Sequence, residues 1–307
     1  MHIGTLWHAI LRAVQNWWKD NCLRLAASLA YYTALSLAPL LLLIVGVVGL
    51  VLNRQQVATQ LATQLEGLMG QAGRELVTSI LTTTSPQGSL LATVIGLVTL
   101  FIGATAVFGE LQATLNLIWE VRPAPTHGVW AGIWAVLRER LFSLALVLAL
   151  AFLLLVSLVI SAVLAGAAAW LQGPEQALMS RLLELAVSLL VLTFVFALLY
   201  MYVPDAEIGW QDVWLGGGIT AVLFSLGKTA IGFYLGQASV GSAYGAAGSL
   251  VVLLVWVYYS ALIMFFGAEF THAWATRQGE VTPQPHALPG AALQTKSEGA
   301  TDRTPSS

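Results

Sequence analysis

The sequence predicts an all-α, polytopic membrane protein: six transmembrane helices with amphipathic interfacial helices beside them, and both termini on the cytoplasmic side. Three observations lead there. Of 307 residues, 58% are hydrophobic and only 9% are charged, against about 25% charged in a soluble globular chain, so water-facing groups cannot cover the surface. Six stretches reach the about 20 apolar residues that a membrane crossing needs. Basic residues are shared unequally between alternate loops. A soluble cytosolic enzyme is thereby excluded. The net charge of −2 gives no global positive field to recruit nucleic acid. The single cysteine, Cys22, excludes an intramolecular disulfide framework and a thiolate metal cluster.

Residues 1–24 form the first element. Ile3, Leu6, Trp7, Ile10, Leu11, Val14, Trp17 and Trp18 recur at helical spacing and alternate with His8, Arg12, Gln15, Asn16, Lys19 and Asp20. That pattern is an amphipathic helix, either lying in the bilayer interface or packed on the protein itself. The transmembrane domain follows over residues 25–275, with spans at about 26–52, 89–109, 141–171, 182–203, 213–235 and 246–270. Pro39 removes one backbone hydrogen bond from the first span and is expected to kink it. The third span exceeds the bilayer and is expected to tilt. The fifth is rich in glycine and holds Lys228 near its middle.

Between the first two spans, residues 53–88 carry Val57, Leu61, Leu65, Leu68, Ala72, Leu76 and Ile80 at helical period. They predict one or two amphipathic helices on the outer leaflet or capping the bundle. Trp130 and Trp134 precede the third span, and Trp210 and Trp214 precede the fifth, as interfacial tryptophans do. Residues 276–307 are too polar to bury a core and are expected to be a disordered cytoplasmic tail. With both ends inside, the inner segments hold Arg12, Lys19, Arg24, Arg122, Arg138, Arg140, Arg277, Lys296 and Arg303, and the outer loops only Arg54, Arg74 and Arg181. Positive charge stays inside, which sets the orientation.

Several blocks carry a family likeness: Leu25-Ala-Ala-Ser28-Leu-Ala-Tyr31-Tyr32-Thr33-Ala-Leu-Ser36-Leu-Ala-Pro39; Leu115-Asn116-Leu-Ile-Trp119; Tyr202-Val-Pro204-Asp205 with Trp210; Gly227-Lys228 with Tyr234; Ala243-Tyr244-Gly245; and Trp256-Val-Tyr258 followed by Gly267-Ala268-Glu269. Over roughly residues 5–275 the chain resembles the YihY family of bacterial inner-membrane proteins, also called BrkB and once labelled ribonuclease BN. The resemblance implies six helices in the cytoplasmic membrane and supplies no settled activity. Asp205 departs from it, since asparagine is favoured after that proline. A nuclease would need clustered ligands for metal ions that activate water. His2, His8, His127, His272 and His286 sit in different segments without metal-ligand spacing, so no catalytic residue, cofactor or metal is expected.

Ionisable groups inside the membrane are the sharpest signal, each costing at least ~2.5–3.5 kcal/mol at the bilayer centre unless paired or hydrated. Lys228 lies about 10 Å from the outer end of its helix; it either snorkels to a lipid phosphate or reaches Glu184 at a compatible depth. Glu110 and Glu269 fall near the cytoplasmic edge, level with Arg24. An Arg24–carboxylate cluster would tie helices together, and two close carboxylates would instead share a proton. Asn116, Ser28, Tyr32 and Ser36 are polar groups beside apolar runs, the last three on one helical face leading to Pro39. They serve interhelical hydrogen bonds or line a crevice. Tyr244 belongs to a tight outer turn among glycines.

Two functions are consistent with these features. One is transport or handling of a lipid or other amphiphile in the cell envelope, without an ATPase, because no G-x-x-x-x-G-K-[ST] loop is present. The other is a non-transporting scaffold or assembly factor that docks envelope proteins. The expected partners are membrane lipids, with envelope proteins second and nucleic acid absent.

Overall fold

The computed structural model describes residues 3–48, 53–83, 106–123, 174–237, 247–278 and 287–289. The helices among them are α1 (Ile3–Lys19), α2 (Cys22–Val48), α3 (Arg54–Met69), α4 (Gln71–Thr83), α5 (residues 106–118), α6 (Pro174–Tyr202), α7 (Trp210–Gln237) and α8 (Gly248–Ala275), the last followed by a 3-10 turn at Thr276–Gln278. Two short strands, β1 (Val121–Pro123) and β2 (Ala287–Pro289), pair antiparallel with Arg122 opposite Leu288. The fold is helical in class.

Within α6, α7 and α8 the stretches Leu185–Tyr202, Trp210–Gly232 and Gly248–Ala275 are long and apolar enough to cross a membrane, and Cys22–Ala38 in α2 is a shorter apolar stretch. These correspond to the fourth, fifth, sixth and first spans read from the sequence. Residues 89–105 and 141–171, the segment with Trp130 and Trp134, the Tyr244 turn and residues 290–307 lie outside the described residues. The tail differs from expectation at residues 287–289, which are strand rather than coil. A strand pair needs only backbone partners, so a polar segment can join one without burying a core of its own.

The chain divides into two compact units, Met1–Asp20 with Gln112–Leu223 and Phe266–Ser307, and Asn21–Leu111 with Phe224–Phe265. In the second, α3 and α4 form a helical hairpin. Asn53 caps α3 by accepting the Gln55 N–H at 2.8 Å. Gly70 sits at φ 68° between the two helices, where a side chain would be strained, and a Cβ on Gly73 would overlap the Leu65 backbone. The hairpin's apolar side packs through Met69 and Leu76 onto Val252 and Leu253 of α8, and through Ala62 and Val77 onto Leu41 of α2. The opposite side carries the Glu66–Arg74 ion pair and polar residues.

In α7 the glycines mark close approach rather than looseness. A Cβ on Gly217 would stand 2.6 Å from the Thr193 carbonyl oxygen of α6, and one on Gly227 would stand 2.6 Å from Ile263 Cδ1 of α8. Gly232 meets nothing within 4 Å. Small residues let membrane helices pack where lipid offers no hydrophobic drive between them. Helix α2 is helical on both sides of Pro39.

Candidate functional site

Helix α1 has three sides. Ala9 and Ala13 are buried against Phe270 and Trp274 of α8, with Leu6 and Ile10 against Leu215, Ile219 and Phe266. Trp7, Leu11, Val14 and Trp18, at i, i+4, i+7 and i+11, form a second apolar stripe that faces outward, the two tryptophans 59% and 61% exposed. Thr5, His8, Arg12, Gln15, Asn16 and Lys19 fill the third sector. The sequence offered an interfacial helix or a helix packed on the protein. One face docks, and another remains open to whatever surrounds the molecule.

Directly after α1, the Asp20 carboxyl hydrogen-bonds the carboxyl of Glu269 on α8. Glu269 is fully buried, 0% exposed, whereas Asp20 is half-buried. Burial pushes the Asp20 carboxyl above its ordinary value of 3.8; the Glu269 hydrogen bond and Lys19 pull it back, and Glu120 adds to the rise. Lys19 and Glu120 stand 3.9 Å apart at the surface. One turn beyond Glu269, the His272 ring lies 5.1 Å from that of Trp119 and within electrostatic reach of Glu120 and Lys19. His272 Nδ1 and Trp119 Nε1 are buried without a hydrogen-bond partner among the described residues.

Nearby in the same unit, Asn116 and Asp205 clasp each other. Asn116 Nδ2 donates to Asp205 Oδ2 at 2.9 Å, and the Asp205 backbone N–H donates to Asn116 Oδ1 at 2.7 Å. Both are buried. This joins the end of α5 to the loop after α6 across 89 residues of sequence. Deeper among α6, α7 and α8, Tyr200 and Thr220 share a 3.0 Å hydroxyl hydrogen bond, while Thr220 donates to the Gly216 carbonyl and Thr271 to the Gly267 carbonyl. Asp212 at the start of α7 holds Arg277 at 3.0 Å, and the guanidinium lies 4.1 Å over Trp274.

The residues singled out in the sequence are placed as follows. Glu269 enters a carboxyl cluster, but its partner is Asp20. Arg24 is exposed and forms no ion pair among the described residues, because the buried face of α2 there is Cys22 and Ala26, and Arg24 points away from it. Glu110 is half-buried on α5. Lys228 is exposed on α7 and forms no ion pair among the described residues. The side chains of Glu184 and Pro39 lie outside the described residues. On α2, Ser36 is buried and Ser28 and Tyr32 are half-buried, yet Ser36 and Thr33 bond carbonyls of their own helix, Thr33 and Leu29, at 3.0 and 2.8 Å. Hydroxyls that satisfy themselves along one helix need no neighbour. Sequence reading passed over the half-buried Asp20, whose polar turn reads as a solvated charge, and named Asp205 only as a departure from the family pattern, without its partner Asn116.

Among the described residues, no group of three or more His, Cys, Asp or Glu is placed to hold a metal ion. The family model described as Virulence factor BrkB matches residues 13–291. A protein named UPF0761 membrane protein from Alkalilimnicola ehrlichii is 30% identical over 261 residues, 84% of this chain and 56% of the relative. Its namesake in Halorhodospira halophila is 28% identical over 262 residues, 85% of this chain and 55% of the relative. One from Tolumonas auensis is 36% identical over 107 residues, 34% of this chain and 35% of the relative. The chain thus spans about half the length of the first two curated relatives. No solved structure matches.

Proposed function

We propose, from the premise that this chain belongs to the BrkB family of membrane proteins, that it handles amphiphiles in the bacterial inner membrane, moving a lipid between leaflets or passing it on without an ATPase of its own. The observation that carries this reading is the second apolar face of α1. A helix already docked through Ala9 and Ala13 still offers Trp7, Leu11, Val14 and Trp18 outward, a surface suited to the acyl–headgroup boundary, where indole rings concentrate. Such a helix perturbs lipid packing beside the protein. Lys228 supports the same reading: exposed on a helix that also exposes Val222 and Leu226, it offers a cation to lipid phosphate.

Purified full-length protein reconstituted with fluorescent phospholipids tests this. Flip rates are expected to rise several-fold above protein-free vesicles, and to fall on Lys228→Ala and on the paired change Trp7→Ser and Trp18→Ser. Wild-type rates equal to those of empty vesicles sink autonomous lipid movement. The scaffold reading then takes its place, with loss of cellular phenotype tracking protein abundance in every variant.

A further inference from the structure

We infer that helix α1 selects anionic phospholipid, holding headgroup phosphate against Arg12 and Lys19 while its tryptophan row sits at the top of the acyl chains. Resting on the lipid-facing reading of that row, this names the amphiphile: a lipid whose headgroup carries net negative charge.

The pattern lies in the register of the helix. His8, Arg12, Gln15 and Lys19 are all exposed, and each stands one residue after a member of the outward row, Trp7, Leu11, Val14 and Trp18. One residue is a turn of about 100° around the axis, so two rows about 16 Å long run side by side, one apolar and one of cations and hydrogen-bonding groups. Neither row holds an acid. Ile3–Lys19 contains no Asp or Glu, although the chain as a whole has a net charge of −2. Because Ala9 and Ala13 dock the remaining side on Phe270 and Trp274, both rows face outward together.

Arg12 forms no ion pair among the described residues. Lys19 stands 3.9 Å from Glu120, but both side chains are largely exposed, and a solvated pair of that length yields readily to a phosphate. The long stems of Arg12 and Lys19 can lie along the apolar row and lift their charged heads to phosphate level, with the indoles below them. A guanidinium forks onto two phosphate oxygens. A zwitterionic headgroup brings its own cation beside that phosphate and cancels most of the attraction, whereas an anionic headgroup leaves it whole. One basic residue near an anionic surface corresponds to about fivefold local enrichment of the lipid, from about 1 kcal/mol. Soluble phosphate would meet the same cations but leave the indole row in water, so the phosphate belongs to a lipid.

The full chain, carrying an environment-sensitive fluorophore at Val14→Cys, is reconstituted in vesicles of equimolar phosphatidylglycerol and phosphatidylcholine. The native Cys22 is buried and stays unlabelled. Two preparations have one composition, and the nitroxide quencher rides on phosphatidylglycerol in the first and on phosphatidylcholine in the second. Quenching is expected to be several-fold stronger in the first. The paired change Arg12→Gln and Lys19→Gln should bring the two preparations to parity, while Arg12→Lys and the distant Arg74→Gln should keep the difference. With both cations in place, salt at about 1 M, where the screening length falls to about 3 Å, should shrink the difference and leave the summed quenching unchanged. Equal quenching by the two lipids, or a difference that survives loss of both cations, overturns the proposal. So does a label that neither lipid quenches, because protein then covers the row. A lipid preference alongside flip rates of empty vesicles would end lipid movement and uphold the lipid class; raised flip rates without a preference would end this inference alone.

Discussion

Gly267→Ala is expected to be the most damaging single methyl group that can be added to the described residues. The new Cβ would overlap Thr220 Oγ1 and crowd the Tyr200 hydroxyl, with Thr220 Cβ only 2.9 Å away. Thr220 and Tyr200 are both fully buried, so neither side chain can swing aside into open space to make room. Over-packing of this kind costs about 1–3 kcal/mol, and more where backbones must part. The opposing glycine tells the same story from the other helix: a Cβ on Gly216 would overlap Thr271 Oγ1. The interface is thus a reciprocal lock in which each helix supplies one glycine and one threonine. Thermal unfolding of the detergent-purified protein should show Gly267→Ala and Gly216→Ala strongly destabilised. Gly232→Ala, open on all sides, should be neutral or gain up to about 1 kcal/mol from helix propensity. Adding Thr220→Ala to Gly267→Ala should recover part of the loss, because the clashing hydroxyl is gone; strict additivity of the two changes would show that the contact is not the cause.

Asn116→Ala is the second. It removes the amide that donates to the Asp205 carboxylate and also the oxygen that accepts the Asp205 backbone N–H. Two hydrogen bonds to buried groups are lost together, at a cost of about 1–3 kcal/mol each. By contrast, Asp205→Asn keeps an oxygen to accept from Asn116 and leaves the backbone bond untouched, so its stability should lie within about 1 kcal/mol of wild type. Equal loss in Asn116→Ala and Asp205→Asn would mean that the ionised state of Asp205, and not the clasp, matters.

What the sequence revealed and what it hid divide along one physical line. Apolar length identifies helices able to span a membrane, because lipid imposes it regardless of neighbours; hence α6, α7 and α8 are long and apolar enough, while α2 carries a shorter apolar stretch. Depth is also countable, at one and a half ångströms per residue, and Glu269 could be placed near a helix end. Azimuth is not countable in a helix that is apolar all round. Arg24 is exposed on α2, away from the buried Cys22 and Ala26, and Lys228 is exposed on α7. Partners far apart in sequence were hidden too. Asn116 looked polar and placed for bonding, yet nothing local names Asp205 as its mate, and Asp20 has the surroundings of an ordinary solvated turn. The amphipathic α1 was legible as a pattern, although its division into two separate apolar faces required knowing which residues α8 covers.

A rod fastened along one flank by small residues and edged along another by indoles has a fixed roll. Turning α1 about its long axis would lift Ala9 and Ala13 off Phe270 and Trp274 and re-aim the row of Trp7, Leu11, Val14 and Trp18. Whatever meets that row therefore meets it at a heading that the contact with α8 has already set.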